Sequence, residues 1–381
     1  MVKDIFFELI RFEINKTEIS EETKNLITEN KLPALLKVSK KHDVAHLIAD
    51  ALEKNALLPE GSEIKKLFLY ERNVAVYRYE QIQYELTHIC EALEIANVKF
   101  IPLKGSVLRK YYPKPWMRTS CDIDILVHEK DLQPAIEVLK QKLLYKHEQT
   151  GNHDAHLFAE SGVHLELHYK LNTSGEQWNL LLENVWDYLV DNSKAHGVLT
   201  EEMFYFYHIA HMAGHFKFGG CGVRTILDLY LLNKNVSYDQ TKLQDLLAKG
   251  GLTEFNKAMI DLADYWLEDG EKTSLVVALN NYILNAGMYG DMQNRVAVEK
   301  AKKSKFRVLL TRIFLPYKQL KFQYPKLQKY PILYPFYTLK RWFKLLKKEN
   351  RVIATKELKE TTHGNSEKQK QIANLLKELK L

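Results

Sequence analysis

Apolar residues recur at helical spacing through the first 97 residues of this 381-residue chain. The clearest run predicts a helix that ends near Ala96, and Asn97 marks its end. Four residues, three or four positions apart, form its apolar stripe: Ile82, Leu86, Ile89 and Leu93. Residues 1–97 are therefore expected to be helical throughout.

The pattern changes at residue 98 to short stretches with a period of two, which is the period of a strand. The alternation is strict at residues 163–168, where Val163, Leu165 and Leu167 share one face. A turn at Ser161-Gly162 precedes this stretch and predicts a hairpin. The elements predicted for residues 98–190 are strands at 98–103, 121–127, 145–149, 155–160 and 163–169, with helices at 106–111 and 129–142.

Helical spacing returns from about residue 200 to about residue 300, interrupted by a glycine-rich loop at 219–222. Residues 350–366 read as a linker, and a short amphipathic helix is marked by Ile372, Leu375, Leu376 and Leu379. The predicted organisation has five parts: an N-terminal helical region at 1–97, an α/β core at 98–190, a helical domain at 191–299, a basic aromatic helical segment at 300–349 and a charged tail with a short terminal helix at 350–381.

Two aspartates one residue apart, Asp122 and Asp124, project from the same face of the predicted strand at 121–127. Glu166 is centred on the polar face of the later strand, between two histidines. Neighbouring carboxylates repel one another unless a cation lies between them, and Mg²⁺ typically takes one or two carboxylates together with substrate phosphates. The three carboxylates therefore predict a site for metal-bound phosphate.

A Lys104-Gly105-Ser106 turn lies between the first predicted strand and the helix that follows it. Backbone N–H groups and a hydroxyl at the start of a helix favour anions. This turn is therefore a second candidate contact for phosphate.

Five cations lie in or after this turn and before the aspartates: Lys104, Arg109, Lys110, Lys114 and Arg118. A triphosphate needs cations beyond the metal, and the arginine fork suits that task, so we expect Arg118 to contact phosphate. The alternative is that Arg118 pairs with Asp122 or Asp124 when no substrate is bound. Arg224 and Asp228, four residues apart on a later helix, are interpreted as a structural tie of the second domain.

Together these motifs resemble the nucleotidyltransferase superfamily typified by DNA polymerase beta. The stretches that carry the resemblance are Leu103-Lys104-Gly105-Ser106, Arg118, Asp122-Ile123-Asp124-Ile125-Leu126-Val127 and Leu165-Glu166-Leu167-His168. Within the superfamily, the chain is most similar to a poorly characterised bacterial nucleotidyltransferase-like family whose members read KG, R, DIDLLV and ELHW in this order. Two departures are a longer spacer, with 15 residues between Ser106 and Asp122, and Tyr169 where this family often has Trp.

The resemblance implies an α+β fold, with a small mixed-sheet nucleotidyltransferase core flanked by N-terminal and C-terminal helical domains. It implies transfer of a nucleoside monophosphate from an NTP, taken to be ATP, to an acceptor hydroxyl with release of pyrophosphate. Two Mg²⁺ ions would assist, and Mn²⁺ could replace them. The residues carried over are Asp122, Asp124 and Glu166 for catalysis and metal binding, and Lys104, Gly105, Ser106 and Arg118 for nucleotide binding. The acceptor stays open among a sugar, another small molecule, a protein and RNA.

His208, His211 and His215 recur at i, i+3 and i+7, so one helical face carries all three. No third-ligand pattern completes a zinc site, since Met212 stands where a zinc protease would carry Glu. We interpret His208, His211 and His215 as residues that line an inter-domain cleft and contact the nucleotide or the acceptor, and we place His168 in the same cleft. The alternative is that they bond neighbouring polar groups.

Residues 300–348 contain 15 Lys and Arg and no Asp or Glu, so the rest of this +7 chain carries a formal charge of −8. Eleven aromatic residues are interleaved with these cations. Basic and aromatic residues together suit an anionic membrane surface or RNA. The third interpretation is an ordinary core with solvated lysines around it.

Composition favours an intracellular enzyme. The three cysteines, Cys90, Cys121 and Cys221, are widely spaced and indicate neither a disulfide framework nor a zinc cluster. Without a signal-like segment or a run of about 18 apolar residues, we expect a cytoplasmic protein, peripheral at the inner membrane surface if the basic segment binds lipid. Two other functional classes stay open: a non-catalytic nucleotide-binding or scaffold protein at the membrane in a surface-glycan pathway, and an RNA-modifying nucleotidyltransferase or toxin.

Overall fold

The structure is a computed structural model. It describes residues 2–171, 176–191, 193–288, 290–302, 305–324, 326–345, 355, 359–362 and 366–381. Within these ranges, every helix is too short or too polar to cross a membrane.

Five helices precede the sheet: α1 (Val2–Asn15), α2 (Glu21–Leu26), α3 (Leu32–Lys41), α4 (Ala45–Lys54) and α5 (Glu63–Ile95). The longest, α5, has 33 residues and begins after Ser62, whose hydroxyl accepts a hydrogen bond from the backbone N–H of Lys65. The apolar stripe predicted for its last turns is confirmed, because all four residues are buried: Ile82, Leu86, Ile89 and Leu93.

A five-stranded mixed sheet follows. Its strands are β1 (Phe100–Pro102), β2 (Asp122–Val127), β3 (Lys146–Thr150), β4 (Asp154–Phe158) and β5 (His164–His168), and two helices, α6 (Gly105–Leu108) and α7 (Leu132–Leu143), lie between them. The strand order is β1-β2-β5-β4-β3; β2 and β5 are parallel, and the other neighbouring pairs are antiparallel. The predicted hairpin is confirmed, with Gly162 at a left-handed φ of 83° in its turn. The predicted α+β class with a small mixed sheet is therefore confirmed.

The two faces of the sheet differ in chemistry because side chains alternate along each strand. One face is apolar and packs with α5 and α7 in a core that includes Ile123, Ile125, Leu165 and Leu167. The other face carries the carboxylates and histidines of β2, β4 and β5. Burying the apolar face therefore fixes the register that presents the polar residues to the far side.

The helices after the sheet are α8 (Asn179–Glu183), α9 (Glu201–Lys217), α10 (Val223–Asn235), α11 (Gln240–Lys249), α12 (Thr253–Leu267), α13 (Ser274–Ala286) and α14 (Met292–Lys302). Helices from both sides of the sheet share one continuous hydrophobic core, since Phe6 and Leu47 belong to the same cluster as Phe206 and Trp266. In sequence the sheet separates these helices, whereas in space they form one body.

The C-terminal helices are α15 (Lys305–Ile313), α16 (Tyr317–Gln323), α17 (Lys326–Lys329), α18 (Tyr334–Leu345) and α19 (Ser366–Glu378). The predicted terminal helix is confirmed, and its apolar residues Ile372, Leu375, Leu376 and Leu379 are buried in the large core. Most of the predicted linker at 350–366 lies outside the described residues.

Candidate active site

Two carboxylates face each other across the central parallel pair of strands. Asp124 on β2 and Glu166 on β5 are direct Cα partners, and Asp122 pairs in the same way with His164. Side chains at partner positions point to the same face of a sheet, so Asp122, Asp124 and Glu166 all belong to the polar face. The register of the two strands therefore places all three carboxylates on one surface of the sheet.

Asp124 is the centre of a charged network. Its Oδ1 atom lies 2.6 Å from Nζ of Lys104 and 2.8 Å from Nε2 of His168. The same His168 nitrogen lies 3.5 Å from Oε2 of Glu166. Since only 3% of Asp124 is exposed, these contacts take place largely away from solvent. Lys104 and His168 therefore balance negative charge that the sheet brings together.

The network shifts the pKa values of its members in opposite directions. Burial alone would raise the pKa of Asp124, but Lys104 and His168 hold it well below its ordinary value. The hydrogen bond from His168 is the first cause of the lowered pKa of Glu166. For His168 itself, burial lowers the pKa, but its bonds to Asp124 and Glu166 outweigh burial and raise it. Asp124 and Glu166 are thus ionised at neutral pH, and His168 is biased toward its charged form.

Asp122 behaves differently from its neighbour. Its pKa is raised, first by burial and then by the repulsion of Asp124. The attraction of Lys104 offsets this only in part. An added cation would relieve that repulsion, which is the property expected of a metal ligand.

Two groups of side chains could hold a metal ion among the residues that the structure describes. Asp124, Glu166 and His168 form the first group, and His156, His164 and Glu166 form the second; within each group, one ligand atom per residue lies within 4.8 Å of the others. Glu166 belongs to both, so its carboxylate stands between two sets of ligands. Carboxylate oxygens suit Mg²⁺ and Mn²⁺, whereas imidazole nitrogens favour transition metals.

The Lys104-Gly105-Ser106 turn is held by two buried arginines. A Cβ atom on Gly105 would come within 2.6 Å of Nη1 of Arg118, so the close packing of this guanidinium explains the glycine. Arg109 donates from Nε to the carbonyl oxygen of Gly105 at 2.8 Å and from Nη2 to Oγ of Ser120 at 3.1 Å. Lys104 adopts a left-handed φ of 43°, which few residues other than glycine take up, so the turn is locally strained.

Ser106 lies on the other side of this turn from the carboxylates. It lines a separate cavity of about 450 Å³ between α5 and α9, together with Leu86 and Phe204. Among the described residues, its buried Oγ has no hydrogen-bond partner. The structure therefore brings Lys104 to the carboxylates but not the side chain of Ser106.

Arg118 forms a buried, bidentate ion pair with Asp228 of α10. Its Nη2 lies 2.9 Å from Oδ2 and its Nε lies 3.2 Å from Oδ1. Tyr112 donates a further hydrogen bond to the same carboxylate at 2.8 Å. The alternative pairing that the sequence suggested, with Asp122 or Asp124, is not formed. Arg118 instead joins the turn to the helical domain.

Arg224 provides a second tie beside the first. Its Nη1 donates to the carbonyl oxygen of Thr119 at 3.0 Å and pairs with Asp43. Oγ1 of Thr119 also donates to Asp43, at 2.9 Å. The predicted structural tie of the second domain is confirmed, but Arg224 and Asp228 achieve it through separate partners rather than with each other: Arg224 through Thr119 and Asp43, and Asp228 through Arg118.

A cleft of about 250 Å³ lies between the polar face of the sheet and α9. Lys104, Glu166 and His168 line the sheet side; His211 and His215, whose Nε2 atoms are 3.2 Å apart, line the α9 side. Burial is the first cause, and Lys104 the second, of the lowered pKa of His211, so it is neutral at pH 7.

His168, His211 and His215 thus all line this cleft. His208 lies behind them, where its Nε2 is 3.3 Å from the carbonyl oxygen of Thr225.

The sequence did not single out two residues that the structure places at this site. Arg109 appeared there only as one cation among five, and its contact with Gly105 depends on the short helix α6 that follows the turn. Gly214 of α9 lines the same cleft, and a Cβ atom there would meet no heavy atom within 4 Å.

Carboxylates on adjacent strands of a small mixed sheet, beside a strained Lys-Gly turn, are the features of a nucleotidyltransferase core. The model of the family described as "Uncharacterised nucleotidyltransferase" matches residues 28–268, and the chain belongs to this family. The family resemblance predicted from the sequence is thereby confirmed. The comparisons found no match among curated proteins or solved structures.

Proposed function

We propose that the protein transfers a nucleoside monophosphate from an NTP, with ATP the first candidate, to an acceptor hydroxyl and releases pyrophosphate. One observation carries this proposal: Asp124 and Glu166 are partners across a parallel strand pair, with Asp122 on the same face. This set of oxygens fits divalent cations that also bind phosphate. Bound there, Mg²⁺ or Mn²⁺ would neutralise phosphate charge and lower the pKa of the acceptor hydroxyl.

Each residue has a role in this account. Asp122, Asp124 and Glu166 would hold the metal ions, and the lowered pKa of Glu166 suits a metal ligand better than a base that keeps the proton of the acceptor hydroxyl. Lys104 supplies positive charge next to Asp124, from where it would attract the phosphates of a bound nucleotide. His211 and His215 border the cleft in which the acceptor or the nucleotide base would lie.

We assign Arg118 a positioning role in place of direct contact with phosphate. Two of its nitrogens are used by Asp228, and the pair is almost fully buried, so releasing the guanidinium would leave a buried carboxylate without its partner. From this position the guanidinium packs against Gly105 and fixes the turn that carries Lys104.

The test is to incubate the full-length protein with each NTP in turn, Mg²⁺ or Mn²⁺, and a cell extract as the source of acceptor. The proposal expects metal-dependent pyrophosphate release that needs the extract. Asp122→Asn serves as the inactive control. Nucleotide binding without any release of pyrophosphate would contradict the proposal and favour a non-catalytic nucleotide-binding protein.

A further inference from the structure

The solvent side of α18 is apolar. Ile332, just before the helix, and Phe336 are 87% and 59% exposed, and Leu339 and Phe343 are 50% and 71% exposed. Their spacing of three or four residues places all four on one face. The opposite face is already occupied by a small core that includes Tyr337. The exposed stripe is therefore not the side on which α18 packs.

A second exposed stripe lies on α15 and on Phe314, the residue that follows it. Its members recur at helical spacing: Phe306, Leu310, Ile313 and Phe314. The ring of Phe314 contacts the ring of Trp342 with centroids 5.4 Å apart. Nε1 of Trp342 also donates to the carbonyl oxygen of Ile313 at 2.8 Å. These contacts join the end of α15 to α18, so the two stripes are neighbours.

Positive charge accompanies the apolar residues. Lys340 is exposed and lies four positions after Phe336 and three before Phe343, so it borders the apolar stripe, and its Nζ also lies 5.8 Å from the ring centroids of Tyr324 and Tyr337. Lys344, one turn further along the helix, is exposed as well. The whole segment 300–348 carries 15 cations and no acidic residue. An exposed apolar stripe with lysines alongside is the composition of helices that lie in a membrane interface.

We propose that α15 and α18 form a docking surface for an anionic lipid bilayer. The apolar stripes enter the boundary between headgroups and acyl chains, and the lysines contact lipid phosphates. RNA is disfavoured as the occupant because half of the eight apolar residues are aliphatic and offer no ring on which a base can stack. A second copy of the chain is disfavoured because a symmetric contact would bring two sets of cations together.

Flotation of the full-length protein with vesicles tests this surface. Wild type is expected to float with vesicles of phosphatidylcholine mixed with phosphatidylglycerol, and not with phosphatidylcholine alone. Lys340→Gln with Lys344→Gln should lower the partition coefficient about 25-fold, because each basic residue near an anionic surface contributes about fivefold. Phe336→Ser with Phe343→Ser should lower it about 100-fold, at roughly tenfold per buried ring.

The matched control replaces two exposed aromatic residues elsewhere, Tyr70→Ser with Tyr77→Ser on α5, which are 63% and 65% exposed. This variant should float as wild type does, and all variants should melt at nearly the wild-type temperature. Failure of wild type to float with anionic vesicles overturns the proposal, as does RNA binding without flotation. A dimer in sedimentation that Phe336→Ser with Phe343→Ser abolishes would also overturn it, because a second copy would then occupy the surface.

Discussion

Lys104 places its ammonium nitrogen 2.6 Å from Oδ1 of Asp124, on the carboxylate that the proposed metal ion must reach. The attraction of Asp124 outweighs the effect of burial and raises the pKa of Lys104, so the lysine stays charged. In the proposed site, Lys104 would therefore supply part of the positive charge that a metal ion brings. The backbone of Lys104 is strained, so the surrounding structure, rather than the conformational preference of lysine itself, holds the ammonium in this place.

The variant Lys104→Met tests whether the lysine charge takes the place of part of the metal charge. The change keeps the length of the side chain but removes the competing cation, so Mn²⁺ binding without nucleotide should tighten by about tenfold. Turnover with NTP should fall, because the same cation is proposed to contact phosphate. Titration calorimetry measures the first effect, with Lys110→Met as the control. Equal Mn²⁺ affinity in wild type and Lys104→Met would show that the lysine does not compete with metal.

In the metal-free protein, replacing Asp124 with Asn and replacing Asp122 with Asn should change the free energy of unfolding by different amounts. Asp124→Asn leaves Lys104 and His168 without their shared carboxylate and should cost about 3 kcal/mol of the free energy of unfolding. Asp122→Asn removes a carboxylate with a raised pKa and should be neutral or stabilising. Urea denaturation at pH 7 measures both. Equal losses of unfolding free energy in the two variants would contradict the assignment of Asp124 as the carboxylate paired with Lys104 and His168.

Glu166→Gln should affect turnover far more than NTP affinity. The variant keeps the size of the side chain but removes a metal ligand, while Asp122 and Asp124 still hold the nucleotide-bound metal. We expect turnover to fall at least about 100-fold and the dissociation constant for NTP to change less than about threefold. Glu160→Gln, in the neighbouring hairpin turn, is the control. Wild-type turnover in Glu166→Gln would mean that Glu166 is ordinary strand surface.

The metal-free protein should become less stable as the pH rises into the alkaline range, because His168 then loses the proton that stabilises the folded state. The pKa of His168 is raised from the ordinary 6.5 in the folded state, so its contribution is fully present below pH 6.5 and is lost as pH rises through the raised value. Wild type should therefore lose more free energy of unfolding than His168→Asn between about pH 6 and about pH 9. Chemical denaturation at both pH values measures this difference. The same loss in both proteins would exclude His168 as the titrating group.

Gly214 offers a test of the cleft that leaves the carboxylates intact. Gly214→Ala should stabilise α9 by about 0.5–1 kcal/mol, because the added methyl group meets open space. Gly214→Phe should fill part of the 250 Å³ cleft and raise KM at least about tenfold. Thermal melts and steady-state kinetics measure the two effects. An unchanged KM in Gly214→Phe would place the substrate elsewhere.

The carboxylate face could be predicted because it depends on local alternation. Ile123 and Leu165 must face the core, and a period of two then sends Asp124 and Glu166 to the other side. The neighbouring placement of β2 and β5 is a matter of topology, which the residues of either strand alone do not determine. The family resemblance implied only that the three carboxylates share one metal site.

The partner of Arg118 could not be predicted from spacing. Asp228 lies 110 positions further along the chain, and the two meet only because α10 packs against the segment after the turn. In the same way, the contact of Lys104 with Asp124 depends on a left-handed backbone that an ordinary lysine would avoid. The partners of Arg118 and Lys104 therefore depend on long-range packing and local backbone strain, which the sequence pattern does not reveal.

The most direct measurement of the central claim follows the phosphates of the NTP separately. Full-length protein is incubated with ATP labelled at either the α- or the γ-phosphate, with Mg²⁺ or Mn²⁺ and cell extract. The account predicts that α-label appears on an acceptor and γ-label in pyrophosphate, and that Asp122→Asn abolishes both. Transfer of γ-label to an acceptor, or its release as inorganic phosphate with no α-label transferred, would contradict nucleotidyl transfer at this site.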